Sequence, residues 1–312
     1  MYYRVLPTLT PIEPEEIDLS TLTAGYIDVD ELQGALDRFD FSDVTVEECT
    51  ARREHYRNAI DVFGEYTFGL VNIVDVNAVF SESDRLAFFF RKNLFLVVNL
   101  FDSDGSTRES FMATLRRYRP ETVTLEKLIF ALLENGISHD GRELDIIEHD
   151  IALLEESVVH NPVDRSLNAR LYEHKRRLMV LRSYYEQLID IGEELEENEN
   201  DIFEEESLHY FGLLTAKAQR LSSAVSMLCD ELNQLREAHE AAMEYSLNNL
   251  MKVFTVITII FLPLTLMTGW FGMNFTYMPS LDSPIGYPLF IVTCVAIVIV
   301  TLCFFKRKGY FK

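Results

Sequence analysis

The sequence predicts an α/β domain followed by a long α-helical stalk and two C-terminal transmembrane helices. Short β-rich apolar runs recur within the first 125 residues. A helical pattern then continues between Gly212 and Pro263 with no Gly or Pro inside it. Two uncharged stretches near the C-terminus, Val253–Phe271 and Tyr287–Phe305, have 19 residues each, close to the roughly 20 that a helix needs to cross a bilayer.

Residues 1–125 form the predicted α/β domain. Polar turns separate the β-rich runs, as expected for strands. The strands are predicted at 66–76, 86–90 and 94–101. Two helices are predicted before them, at 31–39 and 46–59, with N-caps supplied by Asp28 or Asp30 and by Ser42, Asp43 or Thr45.

Residues 126–206 form a predicted acidic helical region. One apolar stripe covers Leu125 to Leu133, a second helix ends at Asn161-Pro162, and a third runs from about 165 to 195. The segment 193–206 then packs nine acids into fourteen residues. Such a run is most simply a solvated, partly frayed helix connection, and the alternative is a diffuse rim that attracts cations.

The predicted stalk, residues 207–252, continues directly into the first membrane span. Its apolar positions keep a helical period, and 50 continuous residues would make a rod of about 75 Å. A helix of that length has little of its own chain to pack against. The stripe therefore favours packing between copies of the chain.

The membrane part is predicted as a first span at 253–274, an outer loop at 275–286, a second span at 287–305 and a basic tail at 306–312. Two buried core helices are the alternative, but two full-length uncharged spans rarely occur side by side in a soluble domain. The loop has no Lys or Arg, whereas basic residues flank the other ends of both spans. The positive-inside rule then predicts both termini in the cytoplasm and insertion in the inner (cytoplasmic) membrane. Residues 1–10 lack the apolar region of a cleaved signal peptide.

The net charge of −22 falls almost wholly on the predicted cytoplasmic domain. This charge argues against nucleic acid as a partner, because phosphate binding needs clustered Lys and Arg. The sequence has no glycine-rich phosphate loop and only 13 glycines, so no nucleotide is expected as a partner or as an energy source. The histidines show no zinc spacing and there is no nucleophile motif, so an enzyme is not predicted. The four cysteines show no metal or disulfide spacing.

Polar residues of the first span fall on one side of its helix. Spacings of three or four place the following residues on a shared face: Asn248, Met251, Thr255, Thr258, Leu262, Thr265 and Gly269. A structural explanation is helix packing, with threonine hydroxyls bonded to the preceding turn. The functional explanation is the wall of a pore formed by several copies of the helix.

No charged side chain lies between Val253 and Asn274. A cation following this face would therefore not be gripped by carboxylates inside the membrane. Mg²⁺ gives up its waters reluctantly. A ring of amide and hydroxyl oxygens could hydrogen-bond those waters, while Met251 and Leu262 could narrow the path and gate it by dewetting.

These segments resemble the CorA family of magnesium channels. The resemblance covers about 30 residues, and its most specific element is a Gly-Met-Asn tripeptide between two C-terminal spans. The matching segments are 249–253 (Asn-Leu-Met-Lys-Val), 261–265 (Phe-Leu-Pro-Leu-Thr), 272–275 (Gly-Met-Asn-Phe) and 277–279 (Tyr-Met-Pro).

The resemblance implies a funnel-shaped homopentamer in which five copies of the first span surround one pore. Mg²⁺ would be the transported and regulatory ion, and Co²⁺ and Ni²⁺ would be further cargo. The implied selectivity filter is Gly272, Met273 and Asn274, with Asn274 as the outer ring. Thr265 would form a second polar ring, Leu262 and Met251 a hydrophobic constriction, and Asn248 the inner mouth. The implied basic collar is Lys252, Lys306, Arg307 and Lys308, although these residues would also serve as interfacial anchors.

The sequence departs from the family pattern in two places. Thr276 and Ser280 stand where relatives often carry loop glutamates, which leaves Asp282 as the only acid of the outer loop. Recruitment of external cations should then be weaker and depend less on ionic strength. Leu213 stands where relatives commonly carry a stalk aspartate that binds regulatory Mg²⁺. Candidate replacements are Glu82, Asp84, Asp201, Glu204, Glu205 and Glu206, and none of them is singled out by spacing.

Two other functions stay open at this point. One is a Zn²⁺ transporter of the same superfamily, whose members typically carry valine at the position of Met273. The other is a membrane-anchored oligomeric sensor or scaffold that conducts no ions. The expected partners are further copies of the chain and the lipid bilayer.

Overall fold

The computed structural model describes residues 1–50, 58–160, 164, 166–273 and 285–308. The chain divides into two compact units. The first comprises Met1–Ser157 with Asp164–Arg236, and the second comprises Val158–Val163 with Glu237–Lys312.

A seven-stranded mixed sheet lies at the centre of the first unit. Its order is β2-β1-β3-β7-β6-β5-β4, and β3 and β7 pair in parallel while the other neighbours are antiparallel. The strands are β1 (Tyr2–Arg4), β2 (Thr10–Ile12), β3 (Thr23–Asp28), β4 (Ala59–Val62), β5 (Thr67–Ile73), β6 (Asp84–Arg91) and β7 (Leu94–Phe101).

Two helices lie between β3 and β4, and the other helices of the described chain follow one another after β7. They are α1 (Leu32–Phe39), α2 (Asp43–Thr50), α3 (Ser106–Arg117), α4 (Leu125–Gly136), α5 (Asp140–His160), α6 (Leu167–Glu197), α7 (His209–Phe271) and α8 (Gly286–Arg307). Short 3-10 turns precede α1 and α7. The α/β domain, the long helix and the two C-terminal apolar helices predicted from the sequence are thus present.

The central strands are covered on both faces. Residues Leu86–Phe90 of β6 and Leu94–Val98 of β7 are no more than 2% exposed. Alternate side chains point to opposite faces of a strand, so a continuous apolar run indicates burial on both sides. One face, with Phe89 and Leu96, packs on α1 and α2. On the other face, Phe88 shares an apolar pocket with Leu132 of α4 and Leu188 of α6.

The two predicted N-terminal helices have different outcomes. Helix α1 begins at Leu32 and agrees with the prediction for 31–39. Helix α2 begins at Asp43, and the Ser42 hydroxyl accepts the Val44 amide at 3.4 Å, as expected of an N-cap. The prediction that α2 extends to Ala59 is wrong at its end, because Ala59 begins the edge strand β4 and pairs with Leu70.

Partly exposed ion pairs and buried apolar contacts tie the later helices of this unit together. Glu134 of α4 pairs with Arg117 of α3 at 2.7 Å and with Lys217 of α7. Leu178, Leu181 and Tyr185 form the buried stripe of α6. The predicted end of the preceding helix at Asn161-Pro162 lies outside the described residues, and α5 is described from Asp140 to His160.

The acidic connection between α6 and α7 is anchored at its centre. Asn198 adopts a left-handed conformation with φ of 49°, and its side-chain amide both donates to and accepts from the backbone of Phe203 at 3.1 Å. Phe203 is buried and contacts Phe211 edge-on at 4.9 Å between ring centroids. The acidic residues of this connection therefore lie on either side of Phe203, whose buried ring holds the connection in place.

Gly69 provides a test of the packing beneath the sheet. It pairs with Phe88, and a Cβ added at Gly69 would lie 2.0 Å from the ring of Phe88. Phe88 is 1% exposed and cannot move without disturbing the layer. We expect Gly69→Ala to lower the free energy of unfolding by about 1–3 kcal/mol.

Thermal unfolding of the detergent-solubilised chain, followed by circular dichroism, measures this change. Gly64→Ala is the matched control, because nothing lies within 4 Å of a Cβ at that position. Equal transition temperatures for the two variants would contradict the close packing of β5 on β6.

Candidate functional site

The membrane-type helices of the second unit pack along one line. The structure has two helices that are long and apolar enough to cross a membrane, the C-terminal part of α7 and the whole of α8. The less exposed residues of α7 recur every three or four positions, and this set is the packing stripe: Val256, Ile260, Pro263, Met267 and Phe271. Phe271 contacts Phe290 of α8 edge-on at 5.2 Å between ring centroids. The stripe is therefore the side of α7 that faces α8.

The polar face of α7 is the set predicted above: Asn248, Met251, Thr255, Thr258, Leu262, Thr265 and Gly269. Every one of these residues is exposed in the isolated chain, with Leu262 69% exposed. At about 100° per residue, this face lies on the side of the helix opposite the packing stripe. The helix pair thus leaves uncovered the face on which the sequence places the functional residues.

Threonine hydroxyls on this face differ in their hydrogen bonds. Thr255 donates to the Met251 carbonyl at 2.7 Å, and Thr258 donates to the Phe254 carbonyl at 2.8 Å. These are the back-bonds of the structural explanation, but each oxygen keeps lone pairs that can accept a proton from outside. Within the described part of the chain, the Thr265 hydroxyl has no hydrogen-bond partner.

A shallow depression of about 600 Å³ lies at the outer end of the polar face. It brings together three predicted site residues, Leu262, Thr265 and Met273, with Gly269 among its other lining residues. Helix α7 ends at Phe271, and the Gly272 amide still donates to the Thr268 carbonyl at 2.9 Å. A Cβ at Gly272 would lie 3.0 Å from that carbonyl oxygen, so glycine relieves crowding at this turn.

Two of the predicted site residues, Asn274 and Asp282, lie outside the described residues. The basic collar is described in full. Lys252 is half-buried on α7, and Lys306, Arg307 and Lys308 are exposed at the end of α8. The Lys308 ammonium lies 5.3 Å from the centroid of the Phe304 ring.

An acidic cavity of about 470 Å³ lies in the first unit. No Lys or Arg is among its lining residues within the described part of the chain. Its ionisable lining residues are Asp75, Glu82, Asp84, Asp104, His139, Asp140 and Glu143. Two of the six predicted candidates for a regulatory cation, Glu82 and Asp84, are therefore brought into one cavity.

Carboxylates from different segments converge at one side of this cavity. Single oxygens of Asp84, Asp102 and Asp104 lie within 4.8 Å of one another. Ser106 donates through its hydroxyl to Asp84 at 2.8 Å and through its amide to Asp104 at 2.9 Å. The bond from the Ser106 amide is the main cause that lowers the pKa of Asp104. The sequence offered no spacing signal for Asp102 and Asp104, because they approach Asp84 only through the pairing of β6 with β7.

The other four regulatory candidates do not converge. Asp201, Glu204, Glu205 and Glu206 are exposed along the connection before α7, and among the described residues they form no group of three acids around one point. The Glu204 amide donates to the buried carboxylate of Glu126 at 2.9 Å. Leu213, at the position of the family aspartate, is 53% exposed on α7.

Asp140 is a lining residue that the sequence did not indicate. It is 6% exposed, and burial raises its pKa to about 6, against the lowering effect of the Tyr185 hydroxyl, which donates to it at 2.8 Å. Lys217 of α7 and His139 lower its pKa further, and Asp75 raises it. A buried carboxyl with such a pKa retains its proton more readily than the exposed acids beside it.

Comparison with known proteins decides the family. The family model described as CorA-like Mg²⁺ transporter protein matches residues 26–307. The chain belongs to the CorA-like Mg²⁺ transporter family. This is a family of divalent-cation transporters and not of enzymes.

Individual relatives agree with this membership. The cobalt/magnesium transport protein CorA of Thermotoga maritima is 26% identical over 263 residues, which cover 82% of this chain and 73% of that protein. The complete CorA magnesium transporter structure of Methanocaldococcus jannaschii has a TM-score of 0.80 at 17% identity and covers 99% of this chain and 98% of that one. The full-length CmaX structure has a TM-score of 0.74 at 19% identity, over 98% and 96% of the two chains.

Asp140 should make the stability of the folded chain depend on pH. Its pKa in the folded chain exceeds the ordinary 3.8, so the proton stabilises the folded state, and stability is lost as pH rises from about 4 through about 6. We expect Asp140→Asn to be more stable than the wild type at pH 7.5, by up to about 3 kcal/mol for a shift from 3.8 to about 6. The two chains should be nearly equal at pH 4.

Chemical unfolding at both pH values, without divalent cations, measures the difference. Tyr185→Phe is the companion variant. It removes the hydroxyl that favours the carboxylate, so it should increase the loss of stability between pH 4 and pH 7.5. A difference between Asp140→Asn and wild type that is the same at both pH values would contradict the raised pKa.

Proposed function

We propose that this chain forms a homopentameric channel through which hydrated Mg²⁺ passes, with five copies of α7 around one pore. The observation that carries the proposal is the exposed polar face of α7, which lies opposite the stripe that packs on α8. A face with threonines and an asparagine gains little from lipid contact, because hydrocarbon offers no hydrogen bonds. If this face lined a shared aqueous path, water would supply hydrogen-bond partners for its polar side chains.

The chemistry of the face suits an ion that keeps its water. Waters bound to Mg²⁺ direct their hydrogens outward, and Thr255 and Thr258 hold hydroxyl oxygens whose own protons are already donated to the backbone. Such oxygens accept hydrogen bonds from the hydration shell without stripping it. Thr265 adds a hydroxyl with no partner among the described residues.

The selectivity filter of the proposed channel is Gly272, Met273 and Asn274 at the outer end of this face. Asn274 would supply a ring of amide oxygens, while Gly272 permits the turn that follows α7. Leu262 and Met251 would form the hydrophobic constriction, and Asn248 the inner mouth. Weak, neutral contacts allow an ion to leave as readily as it enters.

Influx through this channel would be passive. Each charge gains about 2.3 kcal/mol per 100 mV of membrane potential, so a divalent cation gains about 4.6 kcal/mol. A potential that is negative inside drives the cation toward the cytoplasm, where both termini are proposed to lie. The basic collar of Lys252, Lys306, Arg307 and Lys308 supports that orientation. Co²⁺ and Ni²⁺ are proposed as further cargo.

Regulation by cytoplasmic cation would act at the acidic cavity in this proposal. Glu82 and Asp84 line it, and Asp84 lies beside Asp102 and Asp104. Leu213 is exposed but has no carboxylate that could bind a metal ion. The acidic cavity would therefore bind the regulatory cation in place of the stalk position. Asp282 would be a minor contributor to external recruitment.

A Zn²⁺ transporter and a non-conducting sensor are the alternatives. Both would share this fold, and fold similarity does not separate them. Met273, in place of the valine typical of zinc-transporting relatives, favours Mg²⁺. Competition of Zn²⁺ with Mg²⁺ during flux distinguishes the first alternative, and the absence of any flux by an intact oligomer identifies the second.

Asn274→Ala tests the filter. We expect Mg²⁺ uptake into vesicles to fall by about tenfold or more, because the amide ring that accepts the hydrated ion is lost. Uptake is followed with a fluorescent Mg²⁺ indicator at several internal Mg²⁺ concentrations, and size-exclusion chromatography verifies the oligomer.

Thr293→Ala on α8 is the control for this experiment. Thr293 is exposed and donates to the Leu289 carbonyl at 2.8 Å, as the threonines of α7 do, but it lies on the other span. Wild-type uptake by Asn274→Ala, or an equal loss in both variants, would contradict the proposed filter.

A further inference from the structure

A second cavity in the first unit carries the opposite charge. It has a volume of about 630 Å³, within the range of about 300–1,000 Å³ that is usual for small-molecule sites. Its walls come from the residue before β4, from β5 and β6, from the segment before β6 and from α6. The polar and aromatic lining residues include Asn58, Asn72, Phe80, Arg85, Arg176 and Gln187.

The charge of this cavity contrasts with that of the chain. Glu82 is the single acid among its lining residues in the described part of the chain, against two arginines. Arg85 pairs with Glu82 at 3.4 Å and lies 5.1 Å from the centroid of the Phe101 ring. In a protein with a net charge of −22, solubility does not explain why positive side chains line this cavity.

Arg176 is the cationic side chain of this cavity that is available to bind a ligand. Its guanidinium lies 4.3 Å from the centroid of the Phe80 ring, and among the described residues it has no ion pair. The contact with Phe80 orients the guanidinium plane without using its N–H donors. Those donors have the fork geometry that suits phosphate oxygens.

Asn58 adds a second available donor. It is 5% exposed, its backbone amide donates to the Gln187 side chain at 2.7 Å, and its Oδ1 accepts the Asn72 amide at 2.7 Å. Because Oδ1 is fixed as the acceptor, the other side-chain atom is the NH₂ group. The NH₂ group is not among the buried side-chain atoms that lack a partner, so it is open to the solvent of the cavity and can donate to a ligand there.

We propose that this cavity binds a phosphorylated metabolite of nucleotide size. Arg176 and the Asn58 amide would hold the phosphate oxygens, and the exposed ring of Phe80 would offer an apolar face to the rest of the ligand. Inorganic phosphate alone would leave most of the 630 Å³ unfilled. The site has no glycine-rich phosphate loop, so the ligand is a bound regulator and not an energy source.

Binding to the detergent-solubilised full chain, without divalent cations, tests this proposal by calorimetry. The probes are ATP, AMP, inorganic phosphate and adenosine. We expect saturable binding of ATP or AMP, weaker binding of inorganic phosphate and none of adenosine. Arg176→Gln should weaken nucleotide binding by about tenfold or more, because it removes the charged donor. Arg182→Gln is the matched control, since Arg182 is exposed on the same helix and pairs with Glu186 instead.

Glu82→Gln provides a test with the opposite sign. Removing this carboxylate takes away the one acid among the described lining residues and makes the cavity more positive, so nucleotide binding should strengthen by several-fold. The result separates this site from the acidic cavity, which Glu82 also lines and where the same variant should weaken any cation binding.

Three outcomes would overturn the proposal. They are no saturable binding of either nucleotide up to about 1 mM, an equal loss in the two arginine variants, and equal affinities for AMP and inorganic phosphate. None of them bears on Mg²⁺ uptake, so this inference and the proposed channel succeed or fail separately.

Discussion

A pair of membrane helices has one line of mutual contact, and in this chain that line determines which side of α7 is left uncovered. Val256, Met267 and Phe271 lie on the α8 side of the helix. Thr255, Thr258 and Leu262 lie on the opposite side of the helix and are exposed. Among the described residues of the second unit, no other helix covers them, so the proposed role of the membrane part depends on this packing of α7 on α8.

The first unit buries its sheet from both sides. The sheet is covered by α1 and α2 on one face and by later helices on the other, so Leu86–Phe90 of β6 and Leu94–Val98 of β7 are buried. The loops at the edges of this layer carry charged residues. Two cavities there share Glu82 as a lining residue, and one is acidic while the other has two arginines. A single carboxylate thus contributes to both electrostatic environments.

The sequence predicted the elements with strong periodicity and missed those without it. The apolar runs of β6 and β7 and the long pattern of α7 were predicted because packing on both sides, or along one stripe, leaves a clear signal. Strands β1 and β2 were missed because each has three residues and β2 contains Pro11. Helix α3 was missed because its sequence is mostly polar and only a few residues, such as Phe111, are buried. Ala59 was assigned to a helix because edge pairing with β5 has no local signature.

The residues of the candidate sites also divide into those that the sequence could predict and those that it could not. The polar face of α7 could be predicted because all its residues lie on one helix, where spacing fixes direction. Asp102, Asp104 and Asp140 could not, since tertiary packing brings the loop between β7 and α3 next to Asp84 and brings α5 to the cavity. Burial raises the pKa of Asp140, and the Tyr185 hydroxyl, which opposes this rise, is 45 residues away in sequence.

The back-bonded threonines of α7 also bear on the sign of the charge that can pass. Thr255 and Thr258 have given their protons to backbone carbonyls, so toward the outside they present oxygen lone pairs alone. A hydrated cation directs the hydrogens of its shell outward and finds acceptors on this face, whereas a bare anion would meet oxygen lone pairs. In the proposed pore, the orientation of two hydroxyl groups thus favours cations without any fixed negative charge in the membrane.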